Sequence, residues 1–212
     1  MNRRKIMNLI IISASQREQS QSAKVAQYIA ETSSGYSKIV HIELCKYQLP
    51  LWDGEQESKQ SPNSDWSKIN GQVRQADALI LITPEWSGMA SPLLKNFLLM
   101  SSSEDTGHKP ALLVSISSGI SGAYPIAELR MNAFKNNKLV AIPDHLIIRN
   151  VTESLNDFGV EQKSLSQADK SLRERIRFSL HSLWQYGQAL SLLRKTQQET
   201  PYVNQERYSY GM

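Results

Sequence analysis

The chain has 212 residues, with 24 Lys and Arg against 20 Asp and Glu for a formal charge of +4, 40% hydrophobic residues and one Cys. This is the composition of an ordinary globular protein with a single core, and one cysteine rules out a disulfide framework or a Cys-rich metal centre within the chain. The basic excess is local, because residues 163–195 hold seven Lys/Arg and two Asp/Glu, so it reads as a solvated helix face and not as a nucleic-acid surface.

At the start, Arg3, Arg4 and Lys5 ahead of Leu9, Ile10, Ile11 and Ile12 imitate a secretory signal. The apolar stretch is too short for one, which needs about 7 to 15 such residues, and no window approaches the roughly 18 of a membrane span. A cytoplasmic protein with no membrane partner is expected.

Met7 to Ile12 predicts the first strand. The loop after it has the composition of a phosphate site. Hydroxyls at Ser15, Ser20 and Ser22, the guanidinium of Arg17 and the free N–H groups of a helix N-terminus can converge on one dianion. It is neither a Walker loop nor a GxGxxG fingerprint. A helix from Ser20 or Ser22 to Glu31 follows, with Val25, Ala26, Ile29 and Ala30 turned inward. Ile39 to Leu44 predicts a second strand and Asp65 to Gln75 a second helix.

Ala78 to Ile82 predicts the third strand, leading into a loop from Thr83 to Pro92 that suits a planar ligand. Pro84 sets the chain direction, Trp86 supplies an aromatic wall and Gly88 lets backbone approach closely. Pro92 opens a helix through Leu93, Leu94, Phe97 and Leu98. Ala111 to Ile116 predicts the fourth strand, followed by Ser117-Ser118-Gly119-Ile120-Ser121-Gly122, whose backbone donors can face a ligand edge. A helix from Tyr124 or Pro125 to Asn136, a fifth strand within Leu139 to Ile148 and a long last helix complete the chain. That helix carries an apolar stripe at Leu165, Ala168, Leu172, Ile176, Leu180, Leu183, Gly187 and Leu190, with Lys170, Arg173, Arg177 and His181 on another face. Residues 196–212 read as a polar tail to a domain spanning 1–195.

Strands that are continuously apolar and alternate with helices predict an α/β fold with a doubly wound parallel sheet, in which ligands bind beyond the carboxyl ends of the strands. Gly119-x-Ser121 also comes near the GxSxG nucleophile elbow, with Asp144 or Asp157 and then His181 following in hydrolase order, but Ala123 stands where the elbow needs a second glycine. The histidines His41, His108, His145 and His181 show no metal-ligand spacing, and no metal is expected.

Together the three loops resemble the NADPH-dependent FMN reductase family of flavodoxin-like fold, which includes quinone, chromate and azo-dye reductases. Ala14, Ser15, Arg17 and Ser20 are similar to its G-S-x-R-x-x-S loop, and Pro84 to Gly88 with Leu94-Lys95-Asn96 to its P-E-Y-N-G and L-K-N. Gly119, Gly122, Leu129 and Arg130 are similar to its Gly-rich loop and following L-R, Leu49 to Asp53 to the segment after strand two, and Phe158-Gly159 to the turn before the last helix. The chain departs from the family pattern at Ala14 for Gly, Trp86 for Tyr, Ser87 for Asn, Ser121 for Gly and Tyr124 for Arg.

The resemblance implies five parallel strands in the order 2-1-3-4-5 and a noncovalent FMN. It implies cofactor contacts from Ser15, Arg17, Ser20, Gln21 and Ser22, from Pro84, Glu85, Trp86, Ser87 and Gly88, and from Ser117, Ser118, Gly119 and Gly122. NADPH or NADH would reduce the flavin and a small acceptor (a quinone, free flavin, azo compound or metal oxyanion) would reoxidise it in the same space, with no catalytic side chain needed for the hydride. It also implies a homodimer or homotetramer, for which the apolar residues of the Pro92 helix are the candidate surface. The alternatives are a flavodoxin-like electron carrier or a flavin-binding protein without turnover, and a serine hydrolase using Ser121.

Overall fold

The computed structural model describes residues 7–156 and 165–208. Five parallel strands, β1 (Asn8–Ser13), β2 (Lys38–Glu43), β3 (Ala78–Trp86), β5 (Pro110–Ile116) and β6 (Val140–Ile148), lie in the order β2-β1-β3-β5-β6, with the two-residue strand β4 (Met89–Ala90) paired antiparallel to the end of β3. Without β4 this is the expected 2-1-3-4-5 order. β1 lies between β2 and β3, with Ile10 opposite both Val40 and Leu79.

Alternation along each strand sends successive residues to opposite faces. Leu9, Ile11, Ile80, Ile82, Leu112 and Val114 face one core, closed by Val25, Ala26 and Ile29 of α1 (Gln21–Thr32) and Ile176, Leu180 and Leu183 of α7 (Gln167–Glu199). Ile10, Ile12, Leu79, Leu81 and Leu113 face the other, closed by Ile69 and Val73 of α3 (Trp66–Gln75), Leu94 and Phe97 of α4 (Pro92–Met100), and Ile126 and Leu129 of α6 (Ala123–Asn132). Burial on both faces is why the strands read as continuous apolar runs.

Several expectations change. β3 runs past Ile82 to Trp86 and folds back as β4, so the expected strand-to-helix loop is a two-residue hairpin. Short helices α2 (Gln56–Lys59) and α5 (Ser103–Thr106) were not signalled by periodicity, being too short to show it. α6 stops at Asn132. Leu94, Phe97 and Leu98 are core residues and Leu93 packs partly against them, so α4 does not offer them as an interface. Arg173, read as part of a polar face, is buried because Asp169 pairs with it at 2.7 Å and its guanidinium lies over the Tyr28 ring. α7 continues through Glu199, and Lys138 Nζ donates to Tyr208 O at 2.6 Å beyond it. Residues Arg3 to Lys5, Asp157, Phe158-Gly159 and the end of the tail from 209 lie outside the described residues.

Candidate functional site at the carboxyl ends of the strands

The parallel order brings the loops after β1, β3 and β5 to one end of the sheet, where side chains link each to the next. Ala14 N donates to Ile82 O at 3.0 Å and Ser91 Oγ donates to Ala14 O, joining the first loop to the second. The Arg17 guanidinium stands 5.8 Å from the Trp86 ring centroid across the same gap. A Cβ on Gly88 would lie 3.6 Å from Tyr124 Cδ2, which places the start of α6 against the hairpin. Glu128 of α6 accepts from Ala90 N at 2.7 Å and pairs with Lys95 of α4 at 3.0 Å. Burial pushes its carboxyl up, but these two donors outweigh that and leave it below its ordinary value.

In the first loop, Ser15 Oγ accepts from Arg17 N at 3.1 Å and Ser20 Oγ caps α1 by accepting from Ala23 N at 3.1 Å. The N–H groups of Gln21 and Ser22 have no acceptor within the helix. Gln21 Oε1 is buried without a partner. Ser22 is fully buried, because positions 22, 25, 26 and 29 form the inward stripe of α1, and its Oγ, like Gln21 Oε1, has no partner. Arg17 belongs to the serine loop, yet its guanidinium lies over Trp86.

Ser87 and Gly88 of the hairpin have φ of 51° and 78°, the signature of a tight two-residue turn. Ser91 N donates to Thr83 Oγ1 at 2.8 Å beneath it. Pro84 is buried, whereas Glu85 and Trp86 are partly exposed, and Glu85 Oε1 has no partner. In the third loop Ser118, Gly119 and Ser121 are exposed, Ser117 is nearly buried, and Ser117 Oγ bonds both Gly119 N and Ser121 Oγ at 3.2 Å. Gly122 takes φ of 109°, and a Cβ there would fall 2.7 Å from Ile147 Cγ2. Only glycine fits.

A fourth segment, after β6, was missed from sequence. Asn150 N and Val151 N donate to Gly119 O and Ser117 O, both at 3.1 Å, and so hold the third loop from behind. Lys24 Nζ of α1 binds this segment through Val151 O at 2.6 Å, Ser154 O at 2.8 Å and Asn156 Oδ1 at 2.7 Å. Burial lowers the Lys24 pKa, against the raising field of Asp169. No sequence signal exists for a contact spanning so many residues.

The hydrolase constellation is not assembled. Ser121 pairs with Ser117, whereas His181 lines a hollow with Thr32, Gly35 and Trp184 at the far end of α1, and Asp144 is bound to Arg175. His41 Nε2 bonds Ser13 Oγ at 2.8 Å, and burial lowers its pKa. Among the described residues no group of His, Cys, Asp and Glu is arranged to hold a metal, and no helix is long and apolar enough to cross a membrane.

A family profile described as NADPH-dependent FMN reductase matches residues 7–153. The chain is 28% identical over 159 residues to an NADPH azoreductase of Bacillus sp. (strain OY1-2), covering 75% of this chain and 86% of that relative. It is 29% identical over 125 residues to a quinone reductase of Pseudomonas putida, covering 56% of this chain and 64% of the relative. In fold it is similar to the X-ray structure of an oxidoreductase from Corynebacterium diphtheriae, with a TM-score of 0.64 at 15% identity over 85% of this chain and 96% of that one.

Proposed function

The chain belongs to the NADPH-dependent FMN reductase family and is an NAD(P)H-dependent flavin oxidoreductase, and from that premise we propose where its FMN is held and what it reduces. The observation that carries the reading is the continuous rim formed by the first loop, the β3–β4 hairpin and the third loop. Ser15, Ser20 and the first-turn N–H groups of α1 hold the phosphate. Gln21 Oε1 and Glu85 Oε1, both lacking donors, fit a ligand rich in hydroxyl and N–H groups. The exposed backbone at Ser118 and Gly119 meets one edge of the flavin ring, with Gly122 turning the chain beneath it. Bound FMN supplies the hydride and electron chemistry. The protein positions the two reactants, and Trp86 walls the face on which they alternate.

The acceptors proposed are small planar molecules, quinones and azo compounds, with NAD(P)H and acceptor excluding each other from one space. The names of the azoreductase and quinone reductase relatives support this. The same reading makes the protein cytoplasmic, and a homodimer or homotetramer that covers apolar side chains exposed near the rim, among them Met89, Ile120 and Tyr124. Light scattering at 24.0 kDa would refute the assembly.

The deciding experiment is a visible spectrum of purified protein followed by anaerobic NADPH. A yellow protein that bleaches, and parallel double-reciprocal plots with a quinone, are expected. Intersecting plots would refute alternation. Because the Arg17 guanidinium lies over Trp86, 5.8 Å from the ring centroid, Arg17→Ala should weaken FMN about tenfold, the low end for a charge-assisted contact.

A further inference from the structure

Lys59 ends α2 and is only 8% exposed, yet it makes no hydrogen bond or ion pair among the described residues. Its Nζ lies 4.4 Å from the Trp52 ring centroid and 5.7 Å from that of Trp66. Indole faces attract a cation, but they accept none of its three N–H donors as an oxygen would, so those donors remain open to solvent or a ligand. Burial lowers the Lys59 pKa, against the raising field of Asp105.

Lys59 lines a hollow of about 1000 Å³ between α2, α3 and α5. Its wall runs along α3 from Trp66 at the start to Arg74 near the end and takes in Ser102 and Asp105 ahead of β5, and it includes no residue of the three flavin loops. The remaining wall is polar, with Ser61, Ser67 and Asn70, and Asn70 Oδ1 is buried without a donor. Arg74, the other cation of the lining, is already bound to Asp105 and near Glu104. Lys59 is therefore the cation of the lining without a carboxylate partner, while Glu104, Asp105 and Glu206 oppose added negative charge, the more strongly the more of it a ligand carries.

We propose that this hollow is a second ligand site for a small hydroxylated monocarboxylate, whose carboxylate is received by Lys59 Nζ and whose hydroxyls donate to Asn70 Oδ1 and the neighbouring serines. It is independent of the flavin reading, since no residue is shared between the two sites.

Titration calorimetry with gluconate on the FMN-loaded and FMN-free protein tests it. Saturable binding with a dissociation constant on the order of 1 mM is expected, equal in the two forms, as suits a ligand of this size. Lys59→Met keeps the aliphatic stem against both indoles and should weaken gluconate about tenfold, and Asn70→Ala should weaken it about threefold. Glucose should bind far more weakly for want of the carboxylate, and glucose 6-phosphate more weakly for its second charge. Absence of saturable binding to the wild type, tighter binding of glucose 6-phosphate, displacement of gluconate by FMN, or an unchanged affinity in Lys59→Met would overturn the proposal. If Lys59→Met does not fold, Asn70→Ala and the three-ligand comparison decide.

Discussion

Replacing Lys24 by Met tests how the first and third loops are held in register. The substitution keeps the hydrocarbon stem and deletes an ammonium that donates to Val151 O, Ser154 O and Asn156 Oδ1 at 2.6 to 2.8 Å. A hydrogen bond to a charged group contributes roughly 1.5 to 3 kcal/mol when desolvated, but this one sits at a half-exposed rim where water can replace the lost donor. We expect a net loss of about 2 kcal/mol, concentrated in residues 150–156, or about a 30-fold rise in the local opening constant. The assay is amide hydrogen exchange at Asn150 and Val151, whose N–H groups are bonded to the third loop at Gly119 O and Ser117 O. FMN affinity should fall in parallel, while exchange in the centre of β1 stays unchanged. Exchange at those two amides within about twofold of wild type would show that Lys24 is a surface ornament and that the loops are held by other means.

Three further outcomes are expected. Gly122→Ala forces a Cβ to within 2.7 Å of Ile147 Cγ2 at a φ of 109°, and chemical denaturation should register a loss of about 2 to 4 kcal/mol. Trp86→Ala should raise the KM for a planar quinone while FMN titration changes little, and equal loss of both would detach Trp86 from acceptor binding. Lys109, buried and donating to Val73 O and Arg74 O, has its pKa lowered to about 8 by burial and by the Arg194 charge, against 10.5 in the unfolded chain. Between those values the unfolded chain keeps a proton that the folded one has released. Wild-type stability should therefore climb from pH 8 to 10.5 by up to about 3 kcal/mol relative to Lys109→Met, and a flat difference between the two would refute the lowered pKa.

The fold was legible because its strands are buried on both sides and therefore leave uninterrupted Ile, Leu and Val in the sequence. Function was legible in the loops through the order of their serines, glycines and Trp86, although some of these also have structural duties, Ser20 as the cap of α1 and Gly122 beneath Ile147. What escaped has three physical sources. Ser22 lies on the same three- and four-residue spacing as Val25, Ala26 and Ile29, so its burial was readable, but a hydroxyl near a helix start suggests capping first. Lys24, Glu128 and the segment at Asn150 act through contacts across the chain, and neither composition nor periodicity records a partner 127 residues away. The hairpin at Ser87-Gly88 belongs to a third kind. Its turn chemistry was present, but Pro84 and the short return strand hid the pairing.

That hairpin has an evolutionary consequence. A free connection would let the indole drift, whereas a two-residue turn braced by the Thr83 hydroxyl leaves Trp86 little freedom beyond rotation of its own side chain. The arm is thus a mount on which the residue at position 86 can be exchanged, its one tie to the serine loop among the described residues being the Arg17 guanidinium that lies over the indole. On the proposed role of Trp86, selection would broaden or narrow the range of accepted molecules through one codon, and a laboratory library restricted to positions 86 and 87 samples that freedom directly.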